Sequence, residues 1–385
     1  MSSARSPHMT SPLLLRPGAV EASGPDSGIA WHYGNPAVEQ RALATDRAVV
    51  DQSHLGVVTV TGPDRLSWLH TLGSQSVENL TPRSSVEWMV LSPQGRIEHV
   101  AALVDDGVTT WLLTESAAGL AAHLERMRFM KRVEVADVSS EWAAIGETVA
   151  LEGHDGGPVT WMDPWPELAA GGTTYVAAAT THPGGGRAWR LVLVPRERLA
   201  EEIDARLADG TVLAGTWASE AERIAAWRPR AATEVDDKTL PHELDWLRTA
   251  VHLDKGCYRG QETVAKVHNV GRPPRRLAFL HLDGAASILP APGDEVLLAG
   301  ESVGHVTSAA RHFELGPIAL AVIKRSAEPS APLTVASESG VVAASQDVIV
   351  DPAGVSWDRP PPPGPTARGL LMGRGCAADG GDLPN

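Results

Sequence analysis

The sequence predicts an α+β protein in which sheets carry helices on one face and a small antiparallel barrel or sandwich follows. Between residues 57 and 138 the hydrophobic pattern changes in the order strand–helix–strand–strand–helix–strand, which is typical of α+β sheets. After Pro273-Pro274 the chain turns into short apolar runs separated by glycine and proline, as in small barrels and sandwiches. A length of 385 residues allows two or three domains.

The composition is that of an acidic globular protein, with 43% hydrophobic and 21% charged residues. The net charge of −14 argues against general nucleic-acid binding, and no direct nucleic-acid binding is expected, although a local basic patch could still contact RNA. No apolar run approaches the roughly 18 residues that a membrane span needs, so no membrane association is expected. Two cysteines without a CxxC pair predict neither a disulfide framework nor a zinc site and favour a reducing cytoplasm.

The first half of the chain begins with a segment, residues 1–28, that is rich in Ser, Pro and Gly and is predicted to be disordered. Folding signals start near Ile29, and Gly62-Pro63-Asp64 marks a helix start because proline suits the first helical position. Helices are predicted at 36–47, 64–72 and 115–130, and strands at 57–60, 86–91, 96–104, 108–114 and 131–138.

The second half contains further strands and helices and ends in a second polar tail. Ser219 to Glu222 has the spacing of a capping box and predicts a helix start there. Further helices are predicted at 197–209 and 261–268, and strands at 141–151, 174–179, 189–194, 276–282, 294–298, 301–308, 318–323 and 333–335. Residues 351–385, including Cys376, are predicted to be a disordered tail because proline and glycine dominate it.

The most informative stretch is Lys255–Glu262, which reads Lys-Gly-Cys-Tyr-Arg-Gly-Gln-Glu. Gly256 and Gly260 bracket Cys257 and predict a sharp loop, because glycine accepts positive φ. Lys255 and Arg259 would place positive charge near the thiol, which stabilises a thiolate. Six basic residues and one acid lie between positions 255 and 276, so this region could concentrate an anionic ligand.

A structural interpretation of the same stretch stays open. A lone cysteine often packs as a small hydrophobe, and the basic residues could simply solvate the end of a helix. His242, Glu243, His252 and Cys257 are metal-ligand types, but they show no compact spacing such as two histidines at i and i+4. No metal site is therefore predicted.

The eight-residue stretch matches the K-G-C-Y-x-G-Q-E signature of the YgfZ family, so the chain resembles that family. Its members are folate-binding proteins related to the T-protein (aminomethyltransferase) of the glycine cleavage system. Further similarity lies at residues 50–56, 62–64, 91–97, 303–308 and 315–321. The resemblance covers residues 29–350 and leaves out both tails.

This resemblance implies a GcvT-like three-lobed ring around a folate channel. Residues 29–270 would form two mixed sheet-plus-helix lobes, and residues 271–350 an antiparallel β-barrel. The implied cofactor is tetrahydrofolate or a derivative of it. The implied role is the assembly or maintenance of iron–sulfur proteins, with links to tRNA-modification enzymes, and the implied partners are those enzymes or their assembly proteins.

The resemblance also suggests folate contacts. Arg223 matches the arginine of the T-protein R-[LI]-x-A segment and is expected to hold the folate. Trp189 is expected in the same slot, with plain core packing as its alternative role. Arg190 stands near the position of a pterin-recognising acid in T-proteins, and Arg190 and Arg259 are expected at the rim. A basic rim suits the anionic glutamate tail of folate.

The catalytic aspartate of T-proteins is not evident. It lies in a G-G-x-x-D-D segment, and this chain has Glu98 and His99 at the two acidic positions. Glu98 could still accept a hydrogen bond from a pterin ring. This departure favours a folate-binding YgfZ-type protein over an active aminomethyltransferase, and whether any transferase activity remains stays open.

Cys257 is the expected reactive group. Its thiolate could attack an electrophile, exchange with a disulfide or transiently ligate iron. Lys255 is expected to lower the pKa of the thiol, and Tyr258 and Gln261 are candidate folate contacts that also fix the loop. Three functions remain: an iron–sulfur accessory protein, an aminomethyltransferase, and a folate-binding scaffold without chemistry. The first expects the thiol at the mouth of the folate cavity.

Overall fold

The computed structural model describes residues 10–148, 157–177 and 180–361. Its α-helices, within these residues, are α1 (Pro36–Ala44), α2 (Arg65–Leu72), α3 (Ala117–Met127), α4 (Leu199–Ala208), α5 (Thr216–Ala225), α6 (Ala231–Glu234) and α7 (Gln261–Asn269). Its strands there are β1 (Val20–Glu21), β2 (Ala30–His32), β3 (Ala48–Asp51), β4 (Gly56–Thr61), β5 (Ser85–Leu91), β6 (Ile97–Asp105), β7 (Thr109–Thr114), β8 (Glu134–Asp137), β9 (Trp142–Glu147), β10 (Thr160–Met162), β11 (Arg190–Pro195), β12 (Val212–Ala214), β13 (Arg275–Leu282), β14 (Glu295–Leu298), β15 (Glu301–His312), β16 (Gly316–Lys324), β17 (Leu333–Ser337) and β18 (Gly340–Val348).

The first sheet is antiparallel, with strand order β5-β6-β7-β4-β8. Helices α2 and α3 cover one face of it, where Leu69, Leu120 and Leu124 pack against Val58 and other strand residues. These positions recur at helical spacing in the sequence, which is why each helix has one apolar side to bury. Three strands, β5, β6 and β7, lie between the two helices, so the predicted strand–helix–strand–strand–helix–strand order is one strand short. Each of the individual strands predicted between residues 57 and 138 is present.

The second sheet has the order β10-β11-β9-β3-β12, with β12 parallel to β3 and the other pairs antiparallel. Side chains alternate between the two faces along each strand, and helices cover both faces, so both are buried. Val50 packs on the face that carries α1 and α5, whereas Val49 packs with Ile203 of α4 on the other face. This sheet therefore brings α5, which carries Arg223, to the interior of the molecule.

The C-terminal unit is a closed barrel with the strand order β13-β16-β15-β14-β17-β18. It closes because β13 pairs with β18 as well as with β16. Leu280, Val306 and Val335 are among the buried residues that fill its interior. The structure therefore decides for the barrel over the sandwich, and it adds strand β18, which the sequence did not predict.

A shared core joins the three units. Met89 of the first sheet, Ile224 of α5 and Leu277 of the barrel belong to one buried apolar cluster, together with Trp246 and Val264. Contiguous burial of this kind favours a fixed arrangement of the units around the centre of the molecule.

The prediction of disorder over residues 1–28 is wrong for residues 10–28. Pro12–Leu15 forms a 3₁₀ helix, and Leu13 is 1% exposed against the second sheet. The Ser11 hydroxyl donates a hydrogen bond to the buried Asp51 carboxylate. The polar composition of the segment predicts disorder, but burial of the single side chain of Leu13 stabilises an ordered conformation.

The predicted disordered tail is also wrong for residues 351–361. Ser356 is buried, and Arg359 donates hydrogen bonds to the carbonyl oxygens of Asn269 and Gly271, both at 3.0 Å. The rest of the predicted tail, residues 362–385 with Cys376, lies outside the described residues.

The strand predicted at 174–179 is wrong for residues 174–177, and residues 178 and 179 lie outside the described part. Instead of a strand partner, the Tyr175 amide donates to the buried Asp245 carboxylate at 2.5 Å. The helix predicted from Ser219 begins earlier, at Thr216. Among the described helices, none has the length and apolar character needed to cross a membrane.

Candidate functional site

A central cavity of about 160 Å³ lies between the two sheets and α5. Its apolar walls come from Val100 and Leu113 of the first sheet, from Trp189 just before β11, from Leu191 within β11, and from Trp246. A cavity of roughly 150 Å³ holds one benzene ring. The space therefore suits one planar end of a larger ligand and not the whole of a folate-sized molecule.

Arg228 lies in a charged wall of this cavity. Its Nη2 contacts Glu87 Oε1 at 2.7 Å and Asp163 Oδ1 at 3.1 Å, and its Nε donates to Asp163 Oδ2 at 3.2 Å. Its guanidinium carbon is 4.9 Å from the centre of the Trp165 ring. Burial alone would lower the pKa of Arg228, but Asp163 and Glu87 hold it well above the usual value.

Arg230 ties three parts of the chain together at the edge of the cavity. Its Nη2 contacts Asp26 Oδ1 at 2.6 Å, its Nε donates to Glu115, and its Nη1 is 3.5 Å from Glu220 Oε1. Asp26, Glu220 and Arg230 also border a second hollow, which Trp31 and other residues line on the side of the barrel. The Arg230 cluster therefore lies between the cavity and this outer hollow.

The loop that carries Cys257 packs against the first sheet. Cys257 is exposed, and Gly260, just before α7, has φ +85°. A Cβ at Gly260 would come within 2.5 Å of the Ser92 carbonyl oxygen. Gly95 in the facing turn is also closely packed, because a Cβ there would lie 2.9 Å from the Thr263 side chain of α7. The two glycines allow the turn and the helix to touch.

Lys255 anchors the other end of the loop. Its Nζ donates to the carbonyl oxygens of His70, Gly73 at 2.6 Å and Gln75 at 3.1 Å, at the end of α2. Lysine is favourable there because the last carbonyls of a helix lack partners and carry partial negative charge. Burial lowers the pKa of Lys255 to about 8.

Tyr258 and Gln261 complete the internal contacts of the loop. Tyr258 is 7% exposed, its ring centre lies 5.2 Å from Lys255 Nζ, and burial raises the pKa of its hydroxyl well above the usual value. Gln261 Nε2 donates to the Lys255 carbonyl at 3.2 Å. These side chains hold the loop while Cys257 faces solvent.

Comparison with known proteins points to one fold. Residues 275–350 match the family described as "Glycine cleavage T-protein C-terminal barrel domain". The crystal structure of glycine cleavage system aminomethyltransferase T from Bartonella henselae superposes with a TM-score of 0.69 at 15% identity, over 86% of this chain and 94% of that chain. The chain has a T-protein-like fold.

Relatives in sequence agree with this conclusion. The Arabidopsis thaliana protein named "Putative transferase At1g60990, chloroplastic" is 25% identical over 76% of this chain and 70% of its own length. The aminomethyltransferase of Moorella thermoacetica is 25% identical over 76% of this chain and 82% of its own length. The similarity to both therefore extends well beyond the barrel.

Within the T-protein-like fold, Trp189 lies where the sequence suggests, in the wall of the central cavity. Its ring packs on Gly146, where a Cβ would come within 2.3 Å of the indole, and the Arg187 guanidinium lies 4.9 Å from the ring centre. Burial lowers the pKa of Arg187 to about 10. Trp189 is only 8% exposed, so it is at once a core residue and a cavity wall.

Arg223 also lines the cavity, but its hydrogen-bonding groups face the protein. Its Nε and Nη2 donate to the two carboxylate oxygens of Glu220 at 2.9 and 2.8 Å. Its Nη1 donates to the Arg228 carbonyl at 2.6 Å and to Glu234 at 3.0 Å. Nη2 also donates to the Ser308 hydroxyl of the barrel at 2.7 Å. A guanidinium has five N–H donors, so none is left for a ligand. The expectation that Arg223 grips folate is corrected to a structural role.

The expectation for Arg190 is also corrected. Leu191 lines the cavity, and the adjacent Arg190 side chain points to the opposite face of β11, because strand side chains alternate. There it is 3% exposed and pairs with Glu147 at 3.2 Å. Arg190 therefore forms a buried ion pair within the second sheet and not a rim of the cavity.

Glu98, Arg259 and His99 lie outside the cavity lining. Glu98 Oε2 accepts a hydrogen bond from Arg259 Nη1 at 2.8 Å in a partly exposed pair. Burial and the neighbouring His123 lower the pKa of His99 to about 4, so its imidazole is neutral at physiological pH. The structure joins β6 to the Cys257 loop through this pair, but it does not direct Glu98 toward a ligand in the cavity.

The loop residues Cys257, Lys255, Tyr258 and Gln261 likewise do not line the central cavity. The thiol is accessible, as predicted, but its expected place at the cavity mouth is corrected to a separate exposed loop. Three carbonyl oxygens accept hydrogen bonds from the Lys255 ammonium group, so its direct role is to hold the loop on α2. The two parts of the predicted site are therefore distinct.

Sequence reasoning placed only Trp189 and Arg223 in the lining of this cavity and missed its other residues, among them Glu87, Asp163, Arg228 and Trp246. One signal was available, because Glu87 interrupts an apolar strand between Val86 and Trp88. A charge in a buried strand needs a buried partner. That partner, Arg228, lies 141 residues away along the chain, and nothing local identifies it.

Proposed function

We propose that the chain binds tetrahydrofolate or a folate derivative in the central cavity and acts as a YgfZ-type accessory protein for iron–sulfur proteins. The observation that carries the folate part is a cavity with tryptophan and aliphatic walls and several charged side chains, at the centre of a T-protein-like fold. The accessory role rests on the Lys255–Glu262 loop. Its expected clients include tRNA-modification enzymes.

The cavity residues fit the flat end of a folate. Trp189 and Trp246 contribute aromatic side chains, Val100 and Leu113 complete the apolar walls, and carboxylate and guanidinium groups supply the polar part of the lining. Because the volume accommodates about one ring system, the aminobenzoyl-glutamate part would extend out of the cavity. The bound folate would supply one-carbon chemistry, and these residues would orient its pterin and exclude water.

Calorimetric titration with 5-formyltetrahydrofolate tests the folate proposal. The wild-type protein should bind, and Trp189→Leu should bind about tenfold or more weakly, because stacking on an indole is worth about 1–3 kcal/mol. Trp357→Leu is the matched control, because Trp357 is 66% exposed and lies outside the cavity lining. Absence of binding by the wild-type protein would remove the folate proposal.

The Cys257 thiol is the group through which the accessory role would act. Its exposure, and the fixing of the loop by Lys255, present the sulfur to other molecules without a change in the fold. We expect Cys257→Ala to remain folded and to lose the cellular role, measured as the activity of iron–sulfur enzymes in a strain that depends on this protein. Normal enzyme activities in that strain would favour a folate-binding scaffold instead.

An aminomethyltransferase is the second candidate, favoured by the names of several relatives. Against it, Glu98 pairs with Arg259 outside the cavity lining. Purified protein should be supplied with tetrahydrofolate and an aminomethyl group on a lipoyl carrier. Formation of methylenetetrahydrofolate and ammonia would establish the transferase and replace the accessory proposal.

A further inference from the structure

Two buried hydrogen-bond donors in the cavity wall have no partner. Arg228 is 7% exposed and its Nη1 is unpaired, and Trp246 is 1% exposed and its Nε1 is unpaired. Among the described residues that line the cavity, these are the two side chains with such buried unpaired atoms. Buried polar groups normally have a hydrogen-bond partner, so an unpaired pair in one cavity calls for an explanation.

The two donors belong to one local arrangement. The Arg228 guanidinium carbon lies 6.0 Å from the centre of the Trp246 ring and 4.9 Å from that of Trp165. Glu87 and Asp163 hold its Nε and Nη2, which fixes the plane of the guanidinium. The bonded side therefore holds Arg228 in place, while its Nη1 makes no hydrogen bond. Both unpaired atoms lie just behind the cavity surface, so a ligand would reach them through a small movement of the adjoining wall.

The two unpaired atoms are hydrogen-bond donors, so the group that would pair with them is an acceptor. None of the cavity-lining carboxylates has a buried oxygen without a partner in the described part of the chain. The lining contains five carboxylates and four arginines, which gives a formal charge of −1. A negatively charged acceptor would be repelled overall, so a neutral carbonyl oxygen satisfies the two donors best.

We propose that Arg228 Nη1 and Trp246 Nε1 bind the carbonyl oxygen of a neutral, planar lactam ring that enters the cavity. This inference rests on the proposed function, in which the lactam is the pterin and its C4 oxo group is the acceptor. It assigns specificity to two residues that no sequence motif indicated. In a ring with an amino group at that position, the N–H donors of the ring would face the N–H donors of Arg228 and Trp246, and no hydrogen bond would form.

Folic acid and aminopterin test this inference, because they differ at C4, where one carries an oxo group and the other an amino group. Calorimetry on the wild-type protein should show folic acid binding about tenfold more tightly, the magnitude of one hydrogen bond. Trp246→Phe keeps an aromatic side chain but removes the indole N–H, so it should weaken folic acid binding more than aminopterin binding. The preference should therefore shrink.

Trp161→Phe is the matched control. Trp161 also lines the cavity, but its Nε1 already donates to the Val86 carbonyl at 2.9 Å. This variant should keep the wild-type ratio of the two affinities, even if both affinities fall. The ratio is insensitive to a general loss of stability, which both ligands would report equally.

The outcomes separate this inference from the folate proposal. Equal affinity for the two compounds, or an unchanged ratio in Trp246→Phe, would overturn the assignment of the donors while leaving folate binding in place. Binding of neither compound, together with no binding of 5-formyltetrahydrofolate, would overturn both. A ratio that shrinks in Trp246→Phe and persists in Trp161→Phe supports the inference.

Discussion

At the scale of single residues, Arg223 shows how a charged side chain in a cavity can belong to the framework. Its hydrogen bonds join α5 to Glu234, to the Arg228 carbonyl and to Ser308 of the barrel. The carboxylates raise its pKa against the effect of burial. Removing such a side chain would leave buried acceptors and charges without their partner.

We therefore expect Arg223→Ala to lower the free energy of unfolding by about 3–5 kcal/mol, the usual cost of breaking a buried ion pair from one side. Urea denaturation followed by circular dichroism measures this. The control is Arg198→Ala, whose exposed pairing with Glu201 should contribute nothing measurable. Wild-type stability in Arg223→Ala would show that the hydrogen bonds in this region are dispensable.

Asp245 makes a second prediction at the residue scale, about pH. It is fully buried with φ +55°, and its carboxylate accepts from the Tyr175 amide and contacts the Thr174 hydroxyl. Burial raises its pKa to about 7, although the hydrogen bond from Tyr175 and the charge of Arg248 oppose the rise. The folded state therefore holds a proton that the unfolded state releases near pH 4.

The contribution of Asp245 to stability is accordingly full below about pH 4 and is lost as pH rises to about 7. Asn resembles the protonated acid and tolerates positive φ. Asp245→Asn should therefore gain stability relative to wild type between pH 4 and pH 7, by up to about 4 kcal/mol at 1.36 kcal/mol per pKa unit. Urea midpoints of both proteins across this range give the difference, and parallel curves would contradict the assignment.

At the scale of elements, the start of α7 depends on one of the two glycines that the sequence singled out. Gly260 has positive φ, and a Cβ there would lie 2.5 Å from the Ser92 carbonyl oxygen. Gly256 is exposed, and a Cβ there would meet nothing within 4 Å. Gly260→Ala should cost about 1–3 kcal/mol in the free energy of unfolding, because it adds backbone strain and a clash. Gly256→Ala should cost little. Equal thermal midpoints would contradict this packing.

The N-terminal segment gives a similar matched pair within one 3₁₀ helix. Leu13 is 1% exposed and Leu15 is 90% exposed. Leu13→Ala should lower the free energy of unfolding by about 2–5 kcal/mol, as for other buried leucines, and Leu15→Ala should stay within about 0.5 kcal/mol. Chemical denaturation distinguishes the two. A neutral Leu13→Ala would mean that the segment adds nothing to the fold.

At the scale of the whole molecule, the sequence predicted what local pattern encodes. Apolar periodicity identified the individual strands and helices of the first sheet, and turn residues identified the short strands of the barrel except β18. It also located the exposed Cys257 loop, because glycine and charge are visible in a short window. The structure places that loop outside the lining of the central cavity, since family resemblance does not fix which side chains converge.

The ion network of the cavity was not predictable in this way. Arg230 reaches Asp26 across 204 residues of sequence, and Arg228 reaches Glu87 across 141. No periodicity links such positions, and only tertiary folding brings them together. The same long-range contacts order residues 10–28, whose composition by itself indicates disorder.

The tryptophans around the cavity have an optical consequence. Trp161, Trp189 and Trp246 line it, and Trp165 packs against Arg228, so four of the twelve tryptophans of the chain lie at this one place. Indole emission overlaps the absorption of pterins, and energy transfer is efficient at contact distance. Entry of such a ring should quench a large share of the intrinsic tryptophan fluorescence, so ligand binding can be followed without an added label.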